Sequence, residues 1–220
     1  MTMRDLFAVL LVLCGCVSNE STPIAPLGGD TESLYGEWLR LNGRIMITEQ
    51  CTPTPLPHLT FTMGDHRASK AGEIRVPVWL DTEGRGTWGC LLFVEYDATR
   101  LDGVRVEPGE LWDGADFVDA AANASVDGIF RFLVLGWSSG GLAIPAERTS
   151  LPIAYMVFRG ERPGKARIAW LSRDESLIQR RAEALVDTDC GMWNVIDFLR
   201  TRPNITGLID VETGSVVVVP

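Results

Sequence analysis

Ser138 comes closest among the residues of this sequence to a catalytic nucleophile. It stands in the run Gly136-Trp137-Ser138-Ser139-Gly140, which has the G-x-S-x-G form and follows a strand-like segment. A nucleophile elbow also needs a helix directly after the serine and a histidine later in the chain. Leu142–Pro145 offers no helix start, and both histidines, His58 and His66, precede Ser138. The run therefore predicts a turn between strands rather than the active site of a hydrolase.

Three aspartates are the most regular group of possible metal ligands. Asp113, Asp116 and Asp119 recur at every third position, and carboxylate oxygens are ligands that Ca²⁺ prefers. The spacing of an EF-hand loop is absent, so a solvated loop is the favoured interpretation and a calcium site is the alternative. No pair among the 29 acidic residues stands out as the two carboxylates of a glycosidase. The sequence thus predicts a non-enzyme without a metal or cofactor.

The tryptophans are the remaining candidates for ligand contacts. The chain has 7 of them, and Trp88 and Trp137 lie beside turns. An exposed indole ring can stack on a sugar, and it can also anchor a protein interface. These two ligand classes therefore both stay open.

The acidic charge excludes one class of partner. The formal net charge is -9 at pH 7, whereas binding to nucleic acid needs clustered Lys and Arg to neutralise phosphates. We therefore expect no nucleic-acid partner.

The N-terminus has the pattern of an export signal. After a positive start, Leu6–Leu13 is an apolar run too short to span a bilayer. The following Leu13-Cys14-Gly15-Cys16 resembles the lipobox of bacterial lipoproteins. The resemblance implies that 1–15 is a signal peptide, that Cys16 is lipidated and that the protein is held at a bacterial membrane, on the cell surface or the periplasmic face. A plain secretory peptide is the alternative.

Export also determines which cysteines remain in the domain and whether they can form a disulfide. Loss of Cys14 and lipidation of Cys16 leave Cys51, Cys90 and Cys190 in the domain, and an exported compartment permits disulfides. Cys90 lies in an apolar strand-like run and behaves as a small buried hydrophobe. Cys51 and Cys190 lie in loop-like contexts, which favours this pair as the disulfide.

The domain that must position these residues has the pattern of a β protein. After a polar tether over 16–33, the domain over 34–220 contains short strand-like segments separated by Gly, Asp and Pro clusters. This spacing favours an antiparallel sandwich or barrel. Pro77 lacks an N–H donor, which favours an edge position for its strand. A capping box at Ser172 and Glu175 and the apolar spacing of 172–186 predict one inserted amphipathic helix.

The order of motifs over 59–220 is more specific than any single one of them. In chain order they are Val76-Pro77-Val78, Cys90–Asp97 leading into Leu101, Val106–Leu111, Asp127-Gly128-Ile129, Leu151–Phe158 and Gly214–Val218. Together they resemble the cohesin domain. The resemblance implies an all-β, antiparallel jelly-roll sandwich of about nine strands. It also implies docking of a dockerin-type partner through one sheet face, without catalysis.

The sequence departs from the cohesin pattern on that face. Leu91 stands where a polar contact residue is usual, and the strand containing Phe132 runs into Trp137. We therefore expect a more apolar docking face, with Leu91, Phe132, Trp137 and Trp88 in contact with the partner. The alternative is that these side chains point into the core.

Three functions follow as hypotheses. The first is a lipid-anchored scaffolding protein that docks a partner protein domain through a sheet face. The second is a carbohydrate-binding module that recognises polysaccharide through exposed tryptophans. The third is a small-ligand carrier, suggested by Gly36-Glu37-Trp38, which resembles the G-x-W of lipocalins; it requires a closed barrel with a cavity.

Overall fold

The structure, a computed structural model, is built almost entirely of β-strands. It describes residues 40, 51–124, 128–139, 142–145, 151–171, 180–198 and 208–220. The signal sequence, Cys16, the tether, Gly36-Glu37-Trp38 and the predicted helix start at 172–179 lie outside the described residues. The strands are β1 (His58–Met63), β2 (Asp65–Ser69), β3 (Glu73–Asp81), β4 (Thr87–Tyr96), β5 (Leu101–Pro108), β6 (Phe117–Ala124), β7 (Ile129–Trp137), β8 (Pro152–Gly160), β9 (Gly164–Trp170), β10 (Arg180–Thr188), β11 (Gly191–Phe198), β12 (Leu208–Val211) and β13 (Gly214–Val219).

The strands form two sheets. The small sheet has the order β12-β1-β3-β8-β5, and the large sheet follows β11-β10-β4-β9-β13-β2, with β7 paired to β4 and β6 paired to β7. Two strand pairs are parallel, β1 with β12 and β13 with β2, and the other strand pairs among the described residues are antiparallel. The all-β prediction is confirmed, with 13 strands in the described residues rather than about nine.

Period-two alternation places the core between the two sheets. Phe61 of the small sheet contacts Trp170 of the large sheet, with ring centroids 5.6 Å apart, and Phe130 contacts Phe158 at 5.7 Å. Phe61, Phe130 and Phe158 are all fully buried. The space between the sheets is thus filled with side chains, which disfavours the carrier hypothesis because a carrier needs a cavity.

The predicted inserted helix is wrong over 180–186, which belongs to β10. Ala182, Ala184 and Val186 face the core, while Leu185 belongs to a second apolar cluster on the other face of the large sheet. This alternation has a period of two, as a strand requires. Pairing with β4 on one side and β11 on the other outweighs the local helix signals.

Pro77 lies inside the small sheet, not on an edge strand, so the edge prediction is also wrong. β3 pairs with β1 on one side and β8 on the other. The pairing with β1 covers Val78–Asp81, however, and does not include Pro77. Pro77 therefore occupies a local edge, where a missing donor breaks no ladder hydrogen bond with β1.

The cysteines occupy two kinds of environment. Cys51 and Cys190, the pair favoured from the sequence, form a disulfide with a Cα–Cα distance of 5.8 Å. Cys90 is a buried free thiol, and burial raises its pKa. It therefore stays protonated and unreactive at neutral pH.

Candidate docking site

The four predicted partner contacts fall into three environments. Phe132 is 1% exposed and belongs to the core between the sheets, so its assignment as a contact is wrong. Leu91 and Trp88 belong to the second cluster, on the outer side of the large sheet, but are only 3% and 6% exposed. Trp137 is half-buried. Of the four, only Trp137 retains substantial exposure.

Burial on both sides of β4 explains this outcome. Cys90, Leu92 and Val94 face the core, while Leu91 and Phe93 face outward into the second cluster. Both sets are buried. The apolar character of this strand therefore reflects burial on two faces and not an exposed contact surface.

Trp137 forms an aromatic pair with Phe117 on the neighbouring strand. The rings are stacked, with centroids 4.1 Å apart and an interplanar angle of 15°. Phe117 and Trp137 are directly opposite in the β6–β7 register, and both are half-buried. The aromatic neighbour of Trp137 is thus Phe117 and not Trp88.

Ser138, Asp116 and Asp119 make local contacts with the backbone. Ser138 and Leu142 form an antiparallel bridge, and the Ser138 hydroxyl donates to the Leu142 carbonyl at 3.4 Å. The Asp119 carboxylate accepts the backbone N–H of Ala120 at 2.7 Å, and the Asp116 N–H donates to the Trp137 carbonyl at 3.0 Å. Within the described residues, no three His, Cys, Asp or Glu side chains are grouped to hold a metal ion.

The outer side of the small sheet is the open sheet face. Residues that alternate with the core positions of β3, β8 and β5 point outward there, and we call this surface the small-sheet face. It comprises Glu73, Arg75, Pro77, Trp79, Asp102, Arg105, Glu107, Tyr155, Val157 and Arg159, with Glu110 at its margin. Except for Val157, which is fully buried, these side chains are exposed or half-buried.

A network of ion pairs orders this face. Arg105 contacts Glu73 at 2.9 Å and Glu107 at 2.7 Å, and Arg75 contacts Glu107 at 2.8 Å. Arg159 approaches Glu73 at 3.7 Å. The hydrogen bond from Arg105, followed by its charge, lowers the pKa of Glu73. Each exposed pair alone stabilises little, but together they hold the long side chains in defined positions.

Arg75 and Tyr155 form the most specific feature of the face. The Arg75 guanidinium carbon lies 3.9 Å from the centroid of the Tyr155 ring, a cation–π geometry. The Tyr155 hydroxyl donates to the Glu110 carboxylate, whose oxygens lie at 2.7 and 2.9 Å. Partial burial, reinforced by this hydrogen bond, raises the pKa of Tyr155. The tyrosine is thus fixed as a neutral donor under an arginine that is 52% exposed.

The sequence contained one signal for this surface. Placing Ile74, Val76, Val78 and Leu80 on one side of β3 assigns Glu73, Arg75, Pro77 and Trp79 to the other. Arg75 contacts Tyr155 and Glu107 because of the register of β3 with β8 and that of β5 with β8. Those long-range registers are not visible in the sequence.

No helix among the described residues has the length and apolar character needed to cross a membrane.

Solved structures with a similar arrangement are cohesin domains. The seventh ScaB type I cohesin from Pseudobacteroides cellulosolvens has a TM-score of 0.49 and 18% identity, covering 74% of this chain and 93% of that one. The Coh-OlpA–Doc918 cohesin–dockerin complex of Clostridium thermocellum has a TM-score of 0.46 and 18% identity, with coverages of 74% and 99%. A non-cellulosomal cohesin from the archaeon Archaeoglobus fulgidus has a TM-score of 0.43 and 14% identity, with coverages of 74% and 92%.

No protein-family model matches this chain, and no curated protein matches it. At 14–18% identity, the binding residues of these solved structures do not identify equivalent positions in this sequence.

Proposed function

We propose that this protein is a non-catalytic binding domain that docks a dockerin-type partner module through the small-sheet face. The observation that carries the proposal is the exposed Arg75 held over Tyr155, with the tyrosine itself fixed by Glu110. The order of cohesin-like motifs in the sequence supports the same class of partner. The docking surface differs from the one expected from the sequence, because Leu91, Trp88 and Phe132 are buried.

The composition of the face suits protein recognition. Arginine, tyrosine and tryptophan are enriched among the residues that dominate binding energy at interfaces, and Arg75, Tyr155 and Trp79 all lie on this surface. Because Arg75 and Tyr155 are already ordered, little side-chain entropy is lost on binding.

Charge indicates the chemistry of the partner. The arginines of the face are already paired with Glu73, Asp102 and Glu107, and Glu110 adds a further carboxylate bonded to Tyr155. The whole chain carries a net charge of -9. A module that presents Lys or Arg around an apolar contact for Trp79 is therefore the complementary partner.

We predict that Arg75→Ala and Tyr155→Ala each weaken docking by about 30-fold or more, the effect of losing an interface hot spot. The measurement is surface plasmon resonance of the domain against a panel of purified dockerin modules. Arg67→Ala is the matched control, because Arg67 is an exposed arginine on β2 of the other sheet. Binding that survives both substitutions unchanged would place the docking site elsewhere.

Carbohydrate binding at Phe117 and Trp137 is the second candidate function, favoured by their stacked, half-exposed rings. Aromatic rings at a surface can stack on a sugar ring. If this function holds, affinity electrophoresis should show slower migration of the wild-type protein in gels that contain polysaccharide. The Trp137→Ala protein should migrate as it does without polysaccharide. Such retention, with no dockerin module bound, would replace the docking proposal.

We further propose that the domain is held at a bacterial membrane through lipidated Cys16. The support is the lipobox-like Leu13-Cys14-Gly15-Cys16 after a short apolar run. Acyl chains on a mature N-terminal cysteine would anchor the protein, since more than one chain gives stable membrane attachment. An exported position also suits the Cys51–Cys190 disulfide.

Cys16→Ser is expected to move the protein from the detergent phase to the aqueous phase of a detergent partition of expressing bacteria. Cys14→Ser is the matched control, because it changes the neighbouring cysteine and leaves the lipidation position intact. A Cys16→Ser protein that still partitions into detergent would refute the anchor.

A further inference from the structure

The segment Cys51–Pro57, which we call the strap, crosses one end of the sandwich and is fastened at successive points. Cys51 is bonded to Cys190 in the β10–β11 turn. The backbone N–H of Thr54 donates to the Asp189 carboxylate at 3.3 Å. The Pro55 carbonyl accepts from Arg85 at 3.1 Å. The strap then enters β1 at His58.

His58 lies between two carboxylates from other elements. Its Nε2 atom is 3.0 Å from an Asp210 oxygen of β12, and its Nδ1 atom is 3.4 Å from a Glu83 oxygen in the β3–β4 turn. A neutral imidazole has one N–H donor, and an imidazolium has two. Only the protonated ring can therefore donate to Asp210 and Glu83 at the same time.

We infer that His58 is a pH-sensitive clamp that ties β12 and the β3–β4 turn to the start of β1 when its ring is protonated. β12 is a short edge strand that pairs with β1 over Leu208–Val211. The clamp adds a side-chain link to that short ladder. Loss of the proton removes one of the two donors and frees one carboxylate.

The surroundings of His58 set the direction of the effect. The hydrogen bond to Asp210 raises the pKa of His58, Glu83 raises it further, and partial burial opposes them. Asp81 accepts the N–H of Glu83 and holds that turn in place. Arg85 and Asp189 contact the strap itself rather than the imidazole. The charges facing the ring among the described residues are thus negative.

The direction of the pH effect on stability follows from the linkage between proton binding and folding. The pKa of His58 is higher in the folded state than its ordinary value of 6.5. The clamp's contribution to stability is then fully present below about pH 6.5 and is lost as the pH rises through the folded pKa. Acid closes the clamp, and a pH above the folded pKa of His58 opens it.

The clamp also changes charge at the end of the small-sheet face. His58 and Asp210 lie on the outward side of the small sheet, since Leu59 and Ile209 beside them face the core. Above the pKa of His58 the two carboxylates lose their compensating charge. If the proposed docking function holds, a basic partner binds more tightly there, but the clamp itself does not depend on any partner.

The test uses the full chain without a partner. NMR titration resolves the two imidazoles, and His66 serves as an internal reference because burial lowers its pKa. We expect His58 to titrate above 6.5 and His66 below it. Asp210→Asn should bring His58 back toward 6.5 and leave His66 unchanged. A His58 that titrates at or below 6.5 in the wild type would overturn the clamp.

Hydrogen exchange supplies the structural readout. After correction for intrinsic rates, the amides of β12 should be about two- to fivefold more protected at pH 5.5 than at pH 8, the range of a surface ion pair. His58→Gln should abolish the difference while keeping a polar side chain at this half-exposed position. His66→Gln is the control and should preserve it. Equal protection at both pH values in the wild type would refute the inference.

Discussion

Replacing Cys51 and Cys190 with serine is expected to lower the free energy of unfolding by about 4–5 kcal/mol, because the disulfide closes a very long loop. The bonded residues are 139 positions apart. In the unfolded chain such a crosslink removes much conformational freedom, and its loss restores that freedom. This single bond thus contributes an amount comparable to a large part of the net stability of a domain.

Urea denaturation measures this effect. The wild type should lose stability when a reductant is added, and the Cys51→Ser/Cys190→Ser protein should not respond to it. The double variant is the control for the reductant itself, since its free Cys90 is buried. If the reductant leaves the wild-type transition unchanged, the bond does not stabilise the fold in this way.

Phe132→Ala is expected to destabilise the protein by about 3–5 kcal/mol, the cost of removing a large aromatic side chain from a core. Phe132 is 1% exposed, and its ring packs beside Phe130 with centroids 6.1 Å apart. Truncation leaves a cavity between the sheets that neighbouring strands cannot fill. The thermal midpoint should fall by roughly 10 °C, given about 2–4 °C per kcal/mol for a domain of this size.

The matched variant is Phe117→Ala, which removes the same ring from a half-exposed position on the neighbouring strand. It should cost clearly less than Phe132→Ala. A comparable loss for both, measured by thermal unfolding, would contradict the assignment of Phe132 to the core.

Several strands were predictable because turn residues delimit them. Three short apolar runs of the sequence, 59–63, 73–80 and 89–96, are strand-like and correspond to β1, β3 and β4 within two residues at each end. Phe117–Ala124 had no such signal, because alanine and asparagine have low strand propensity. Pairing with β7 along its whole length makes it a strand. β7 is the next strand along the chain, but only the folded sheet shows that the two strands pair.

The proposed docking face was harder to predict than the fold because neighbouring strand residues point to opposite sides of a sheet. Phe132 faces the core, whereas Leu133, the next residue, faces the outer cluster. Sequence alone does not say which side is covered when both are apolar. The contact between Tyr155 and Arg75 was equally unpredictable from the sequence, because it depends on the β3–β8 pairing.

The disulfide also defines a mechanical path through the molecule. A pull applied to the chain before Cys51 passes through the two sulfur atoms to Cys190. Tension between that point and β13 therefore bypasses β1–β10, which lie inside the covalent loop. From Cys51 onward, only the residues after Cys190 can be drawn out, roughly 100 Å of extended chain. The small-sheet strands β3, β5 and β8 are all inside the bypassed loop, so a pull between the two ends of the chain does not draw them out.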